Sequence, residues 1–538
     1  MGSVLSPAQV REQILSSVSA NGGHLASSLG AVELACALAE VFDPKTDRVI
    51  WDIGHQAYAW KILTGRADRF GTLRRHGGIA PFLSPAESKA DAFISGHAGV
   101  AIAAAAGIAA GDAILGTKRQ VVAVVGDQAL GNGESLEALR NIAAMGSKVM
   151  VVVNDNEPER GGCEPVGNVL FGAFGLACIG PVDGNDRSAL VAALQEARQA
   201  PASVVVHVVT RKGEGFEPAM ASPAVWHSVG PFELSEKDGV ANAFGATASP
   251  TWSEEFGKAM VEAARRDGKV CAVVAAMKDG TGLAEFAEAF PERFFDVGIC
   301  EEMAVTFAAG LAKSGMRPVV AIYSTFLQRA IDQIQHDVCL QGLPVVFAVD
   351  RAGCVGADGA THHGLYDIPL LRPLTGMRIV APTCVEELKE LLDEALAGTG
   401  PTAIRYPKGE AARKEQILTE QGKADVRILA VGNQVPKAIK VRELLADAGV
   451  RAVLEPVKRV KPFEGGNASA ELTVSLEDGT VVGGFGESVG ADMVFGWPDA
   501  VVGHGTVEEL EREFGFDAES ISCAIVGLVN GRKGGQHG

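Results

Sequence analysis

The stretch from Gln120 to Asn156 constrains the fold more than any other part of the chain. Gln120 to Val125 is a β-branched run that stops at Gly126-Asp127, and Glu134 to Met145 carries Leu136, Leu139, Ile142 and Ala143 at helical spacing. Lys148 to Val153 is a second such run, ending at Asn154-Asp155-Asn156. Strand, acidic turn, helix and strand in that order read as a βαβ unit. Its strands run parallel, so their carboxyl ends emerge on one edge, where open α/β sheets bind ligands. Asp127 and Asn156 therefore share that edge. One carboxylate and one amide oxygen suit a hard cation, and Mg²⁺ takes only one or two such ligands beside phosphate oxygens. A diphosphate held through a metal is the expectation. The plainer alternative is an ordinary Gly-Asp turn and a polar loop.

A chain of 538 residues exceeds one core and implies roughly two to four domains. With 47% hydrophobic and 21% charged residues it has the balance of a globular enzyme rather than of a disordered chain. The apolar run Ala101 to Ala110 is too short to span a bilayer, and Met1-Gly2-Ser3-Val4 has no basic region ahead of an apolar core. No membrane association and no signal peptide are expected. Nine cysteines without a Cys-x-x-Cys pair suggest reduced thiols in a cytoplasmic protein, not a disulfide framework or a zinc site. A net charge of −18 argues against nucleic acid, so an anionic substrate would have to be caught by a few local arginines.

Alternating strand and helix patterns divide the chain into three α/β segments, 1–240, 250–412 and 424–530, with mainly parallel sheets flanked by helices. The joins are Ala241 to Pro250 and Gly409 to Ala424. In the first segment His24, His55 and His97 each sit where a glycine-rich turn meets an element, which predicts exposure at element ends; Lys212 and His227 follow a strand over Ser203 to Thr210. In the second, Glu301 and Glu302 open a helix, where acids complement the helix dipole whether or not they act chemically. Tyr323-Ser324-Thr325-Phe326 ends a buried strand, with Phe326 suited to stack on a flat heterocycle. The loop Arg351 to Gly364, rich in glycine and ionisable residues after a strand, is poor structural material and good site material. Arg405 lies within a strand and requires a phosphate or carboxylate partner. The third segment carries no convergent catalytic set.

Gly-Asp followed by Asn about thirty residues later matches the thiamine-diphosphate signature, with Gln128 where that signature has its second Gly. Beyond it, Gly23-His24 to Leu34, Ile50 to Arg66, Phe295 to Gly310, Val319 to Val338, Asp350 to Gly364 and Ala403 to Gly409 resemble the 1-deoxy-D-xylulose-5-phosphate synthase family of the transketolase superfamily. Blocks such as Asp-Ile-Gly-His-Gln-Ala-Tyr and Tyr-Ser-Thr-Phe-Leu-Gln-Arg-Ala are specific to that family. The resemblance implies a transketolase-like fold, a homodimer, thiamine diphosphate and Mg²⁺. It implies condensation of pyruvate with D-glyceraldehyde 3-phosphate, releasing CO₂, at the first step of non-mevalonate isoprenoid synthesis. Asp127, Asn156 and Pro158 would hold the metal. Gly126, Gln128, His55, His97, Lys212, Glu301 and Phe326 would contact the cofactor. His24, His227, Tyr323, Arg329, Arg351, Asp358, His362 and Arg405 would bind substrates, with Glu301, His24, His55 and His362 catalytic. The chain departs from the family at Glu302-Met303, where members have Gln-His. After Asn156 a long family segment is replaced by a much shorter connection to Gly180-Pro181-Val182-Asp183-Gly184. Two other readings are a transketolase-type reaction with another donor or acceptor, and a cofactor-binding paralogue without turnover.

Overall fold

The strands Val121–Gly126, Met150–Asp155 and Val204–Val209 are buried along almost their whole length. Only a sheet covered by helices on both faces accommodates that pattern. The computed structural model describes residues 5–146, 148–156, 168–234, 250–413, 424–465 and 470–535. The chain divides into two compact units, Met1–Ala246 and Thr247–Gly538, the second enclosing both segments 250–412 and 424–530. Residues 241–249 of the first expected join and 414–423 of the second lie outside the described residues.

In the first unit β1 (Arg48–Asp52), β2 (Val121–Gly126), β3 (Met150–Asp155), β4 (Ala177–Asp183) and β5 (Val204–Val209) form an all-parallel sheet in the order β1-β2-β3-β5-β4. Leu34 and Leu38 of the helix Val32–Val41, with Leu190 and Leu194 of Arg187–Gln199, share a core with Val122, Val124, Val152 and Val206. The helix Val100–Leu115 packs against β2 and against the helix Gly133–Ile142. The strands of the expected βαβ unit are adjacent and parallel, with Gly126 facing Asn154. The expected acidic turn is instead the start of a short helix, Asp127–Leu130, that leaves β2 directly. Buried ion pairs hold the long connection after β1. Lys61 Nζ lies 3.1 Å from Glu87, and Arg66 grips Asp91 with contacts of 2.6 and 2.8 Å.

The second unit contains two sheets. The larger is built from β6 (Val270–Val274), β7 (Phe294–Asp296), β8 (Arg317–Tyr323), β9 (Val346–Asp350), β10 (Arg378–Val380) and β11 (Thr402–Arg405), all parallel. The smaller comprises β12 (Ala424–Val431), β13 (Ala452–Val457), β15 (Ala470–Thr480) and β16 (Met493–Trp497), also parallel, in the order β13-β12-β15-β16. Between β13 and β15 the chain sends β14 (Arg459–Lys461) back to the larger sheet, where it pairs antiparallel with β10. Among the described residues no helix is long and apolar enough to cross a membrane.

Arg405 ties the two sheets together. Its guanidinium, 3% exposed, lies with Nε 2.7 Å from Asp367 and Nη1 2.6 Å from Asp478 of β15. Taking either carboxylate away leaves buried positive charge short of a partner, which costs more than the intact pair contributes. Asp478→Ala should therefore lower the unfolding free energy by ~3–5 kcal/mol in urea titrations. Asp478→Asn, which keeps an acceptor, should lose less; equal losses would trace the effect to packing rather than to charge.

Candidate active site

At the carboxyl edge of the first sheet Asp127 opens the short helix after β2, and Asn156 follows the last residue of β3. The Asn156 amide nitrogen donates to Thr210 Oγ1, and the Thr210 hydroxyl donates to Asn154 Oδ1 at 2.6 Å. A carboxylate and an amide oxygen from neighbouring strands form a donor set that fits Mg²⁺, leaving coordination positions for phosphate and water. Among the described residues no three His, Cys, Asp or Glu side chains group as a metal site, and a carboxylate–amide–phosphate site does not need them. Pro158 lies outside the described residues. Gln128 is exposed, and Lys212 is half-buried in the turn after β5. Gly30 admits that turn, since a Cβ there would stand 2.7 Å from the Arg211 carbonyl.

Three of the four expected histidines converge in the same unit. The ring centroids of His24 and His55 are 5.7 Å apart, those of His24 and His227 5.7 Å, and those of His55 and His227 5.0 Å, with Phe82 5.4 Å from His24. The expectation of exposure at element ends is corrected for His24, which is buried. Gly23 pairs with Val229 through reciprocal backbone hydrogen bonds of 2.8 and 2.9 Å, folding the turn inward. Its φ of 145° and the Tyr58 hydroxyl, 2.8 Å from where a Cβ would sit, both require glycine. His227 stands at the rim; enclosure of its ring first, and the Lys212 charge second, lower its pKa to about 4. It is neutral at pH 7. His97 is half-buried in the turn ahead of the helix Val100–Leu115, and its neighbour Ser95 accepts from the Gly54 amide at 2.9 Å, beside His55.

In the second unit Glu301 is the first residue of the helix Glu301–Lys313, and its carboxyl is 3% exposed. Its Oε2 is buried with no hydrogen-bond partner. Desolvation raises its pKa to about 7, against the opposing influence of a backbone N–H and of Arg329. A buried acid with an unused oxygen fits a heterocyclic nitrogen such as that of an aminopyrimidine. Tyr323 and Phe326 stack at 5.6 Å, and His362 meets Phe326 edge-on at 5.5 Å. Arg351 lies 3.8 Å over the Tyr323 ring, and its Nη1 donates to the Gly280 carbonyl at 2.8 Å and to Asp350 at 2.9 Å. Asp358 pairs with Lys408 at 2.8 Å.

A family model described as 1-deoxy-D-xylulose-5-phosphate synthase matches residues 5–169 and 160–210, and one described as transketolase, pyrimidine binding domain, matches residues 248–414. The 1-deoxy-D-xylulose-5-phosphate synthase of Syntrophomonas wolfei is 40% identical, the match covering 96% of this chain and 93% of that protein. 1-Deoxy-D-xylulose-5-phosphate synthase 1 of Geobacter metallireducens is 40% identical over 97% of this chain and 96% of its own length. The chain belongs to the 1-deoxy-D-xylulose-5-phosphate synthase family. Among solved structures, the transketolase of Campylobacter jejuni is 16% identical with a TM-score of 0.49, covering 97% of this chain and 98% of that one.

The match to the synthase family is interrupted where the shortened connection was expected. The amino-terminal family model aligns in two pieces that meet at 160–169. The alignment to the Syntrophomonas synthase extends over 596 positions against a chain of 538 residues, so dozens of the relative's residues have no counterpart here. Arg405 requires a correction as a phosphate ligand. It has the carboxylate partner that a strand arginine demands, but Asp367 and Asp478 occupy it inside the protein. An exposed cation close by in sequence is Lys408, three residues on, which sequence reasoning missed; its visible signal was a lysine just past a strand end. Thr210, Asn154 and Gln56 were also missed, because nothing about a strand-end threonine or a lone amide announces a network.

The acidity of Glu301 makes stability depend on pH. The unfolded chain releases this proton near pH 4.5 and the folded chain near 7, so stability falls as pH rises between those values and then levels off. Glu301→Gln should shrink the fall by up to ~3 kcal/mol in urea titrations across that window. Glu477, likewise raised to about 7, leaves a residual slope in both proteins. An unchanged difference between variant and parent would mean that the Glu301 carboxyl is hydrated.

Proposed function

We propose that this chain condenses pyruvate with D-glyceraldehyde 3-phosphate, forming 1-deoxy-D-xylulose 5-phosphate and CO₂, as the first step of non-mevalonate isoprenoid synthesis. Membership of the synthase family supports the substrates. The observation that carries the chemistry is the buried Glu301 carboxyl with its partnerless Oε2. Thiamine diphosphate, when bound, supplies the carbon nucleophile and the sink for the electrons left by departing CO₂. Asp127 and Asn156 would hold Mg²⁺, and Lys212, in the turn after β5, would add positive charge for the diphosphate. Glu301, half-protonated near neutrality, would supply a proton to the cofactor's pyrimidine, and Phe326 would offer its ring for stacking.

His24 and His55 exchange protons at substrate oxygens, a task for which the ordinary imidazole pKa near neutrality is suited, while His227 offers its neutral ring as a hydrogen-bond partner to substrate. His362 lies at the edge of Phe326, and we assign it a catalytic role toward the substrates. Arg351 and Lys408 supply positive charge for the phosphate of the aldehyde, and Asp358 holds Lys408 in place. The positive charge of Arg329 offsets part of the upward shift that burial gives the Glu301 carboxyl. A homodimeric, cytoplasmic enzyme completes the family reading.

Chain supplied with Mg²⁺, thiamine diphosphate, pyruvate and glyceraldehyde 3-phosphate should form 1-deoxy-D-xylulose 5-phosphate and CO₂ in equal amounts by mass spectrometry. Glu301→Ala should abolish both. CO₂ without the sugar phosphate would point to a different acceptor. Arg351→Ala should raise the KM for glyceraldehyde 3-phosphate about tenfold or more with a far smaller change for pyruvate. Equal rises would remove Arg351 from the phosphate site.

A further inference from the structure

Four side chains form a continuous hydrogen-bonded row across the carboxyl edge of the first sheet. Gln56 Nε2 donates to the Asp52 carbonyl at 2.9 Å, and Asn154 Nδ2 donates to Gln56 Oε1 at 2.7 Å. Thr210 Oγ1 donates to Asn154 Oδ1 at 2.6 Å, and Asn156 Nδ2 donates in turn to Thr210 Oγ1. The row starts at the end of β1 and reaches β3 and the residue after β5. It passes β2 at Gly126, whose Cβ, if present, would lie 3.9 Å from Gln56 Nε2. Gln56, Asn154 and Thr210 are each 5% exposed or less.

The polarity of this row is forced from one end. A backbone carbonyl can only accept, so Gln56 must turn its NH₂ toward Asp52 and its oxygen toward Asn154. Asn154 must then present NH₂ to Gln56 and oxygen to Thr210. The threonine proton is committed to that oxygen, which leaves Thr210 only a lone pair for Asn156. Asn156 must answer with its NH₂, and its Oδ1 faces away from the row. Inverting any amide would set oxygen against oxygen or NH₂ against NH₂ inside the protein, where an unmade hydrogen bond costs about 1–3 kcal/mol.

We propose that Gln56, Asn154 and Thr210 are positioning residues that determine which end of the Asn156 amide is offered to the metal. Only the oxygen can ligate Mg²⁺, and a free asparagine would present its nitrogen in half of its orientations. The row selects the oxygen before any ligand arrives. Partners of this kind behind a metal ligand are commonly worth 10–100-fold in affinity. The inference rests on the reading of Asn156 as a metal ligand, and the experiment separates the two.

The test is the Mg²⁺ midpoint for binding of thiamine diphosphate, followed by calorimetry on the full chain below its melting temperature. Thr210→Val keeps the side-chain shape and removes the hydroxyl; Gln56→Met removes the donor at the head of the row without touching Asn156. Both should raise the midpoint about tenfold or more, and Thr210→Ser should restore it to within a few-fold. A purely structural role would lower the melting temperature of the metal-free protein and leave the midpoint in place. If Asn156→Ala abolishes Mg²⁺-dependent binding while Thr210→Val and Gln56→Met leave the midpoint unchanged, the positioning row is wrong and the metal ligand stands. If Asn156→Ala itself binds normally, both fall.

Discussion

The register between β2 and β3 is the constraint on which the metal-binding edge depends. With Gly126 opposite Asn154, the next residue of one strand and the second next of the other leave the sheet side by side. Side chains alternate along a strand, so Asn154 and Asn156 turn to one side and Asp155 to the other. Both asparagines reach Thr210, whereas Asp155 Oδ2 lies 3.0 Å from His207 Nε2 in the interior. A slip of one residue would exchange these roles and bury the ligand. The valines of β2 and β3, buried along both strands, hold the register by making every slip expose apolar surface or bury an amide.

Charge burial sorts the acidic residues of the second unit into two kinds. Asp367 and Asp478 are buried with an arginine between them, so their charge is answered within the protein. Asp350 is likewise buried, but Ser253 at 2.7 Å and Arg351 at 2.9 Å answer it. Glu301 is equally enclosed, yet Oε2 has nothing to meet. Ionising an enclosed carboxyl is expensive unless it is compensated, so Glu301 still holds its proton about half the time at neutral pH. Other buried polar atoms of this unit, such as the Thr402 and Tyr406 hydroxyls, also lack a partner, but among them only Glu301 is a carboxyl that can carry charge, which makes it the one suited to meet a ligand.

The glycine-rich turn at His24 illustrates a different compromise. Gly22 and Gly23 both adopt positive φ, and the turn they make carries the imidazole inward against Phe82 and two other histidines. The conformational freedom of glycine is entropically unfavourable on folding, and here that freedom is used to bring backbone within contact of Tyr58 and Val229. Three imidazoles are thereby gathered with ring centroids 5.0 to 5.7 Å apart, so that one substrate can meet more than one of them.

By itself the sequence determined the α/β class, the parallel βαβ unit that brings Asp127 and Asn156 to one edge, and the helix that begins with Glu301. Each follows from local periodicity and from the rule that parallel strands end together, and neither needs distant contacts. The tertiary structure alone decided which charged groups face inward and which are already spent. Arg405 and Lys408 look equally available in the sequence, but Asp367 and Asp478, far away in the chain, claim the first and leave the second near Asp358. The same holds for the Asn156 amide, whose direction is set by a carbonyl at Asp52 and a hydroxyl at Thr210. Hydrogen bonds and ion pairs between residues tens to about a hundred positions apart leave no periodic trace in a sequence, because their energy depends on distance and direction in space.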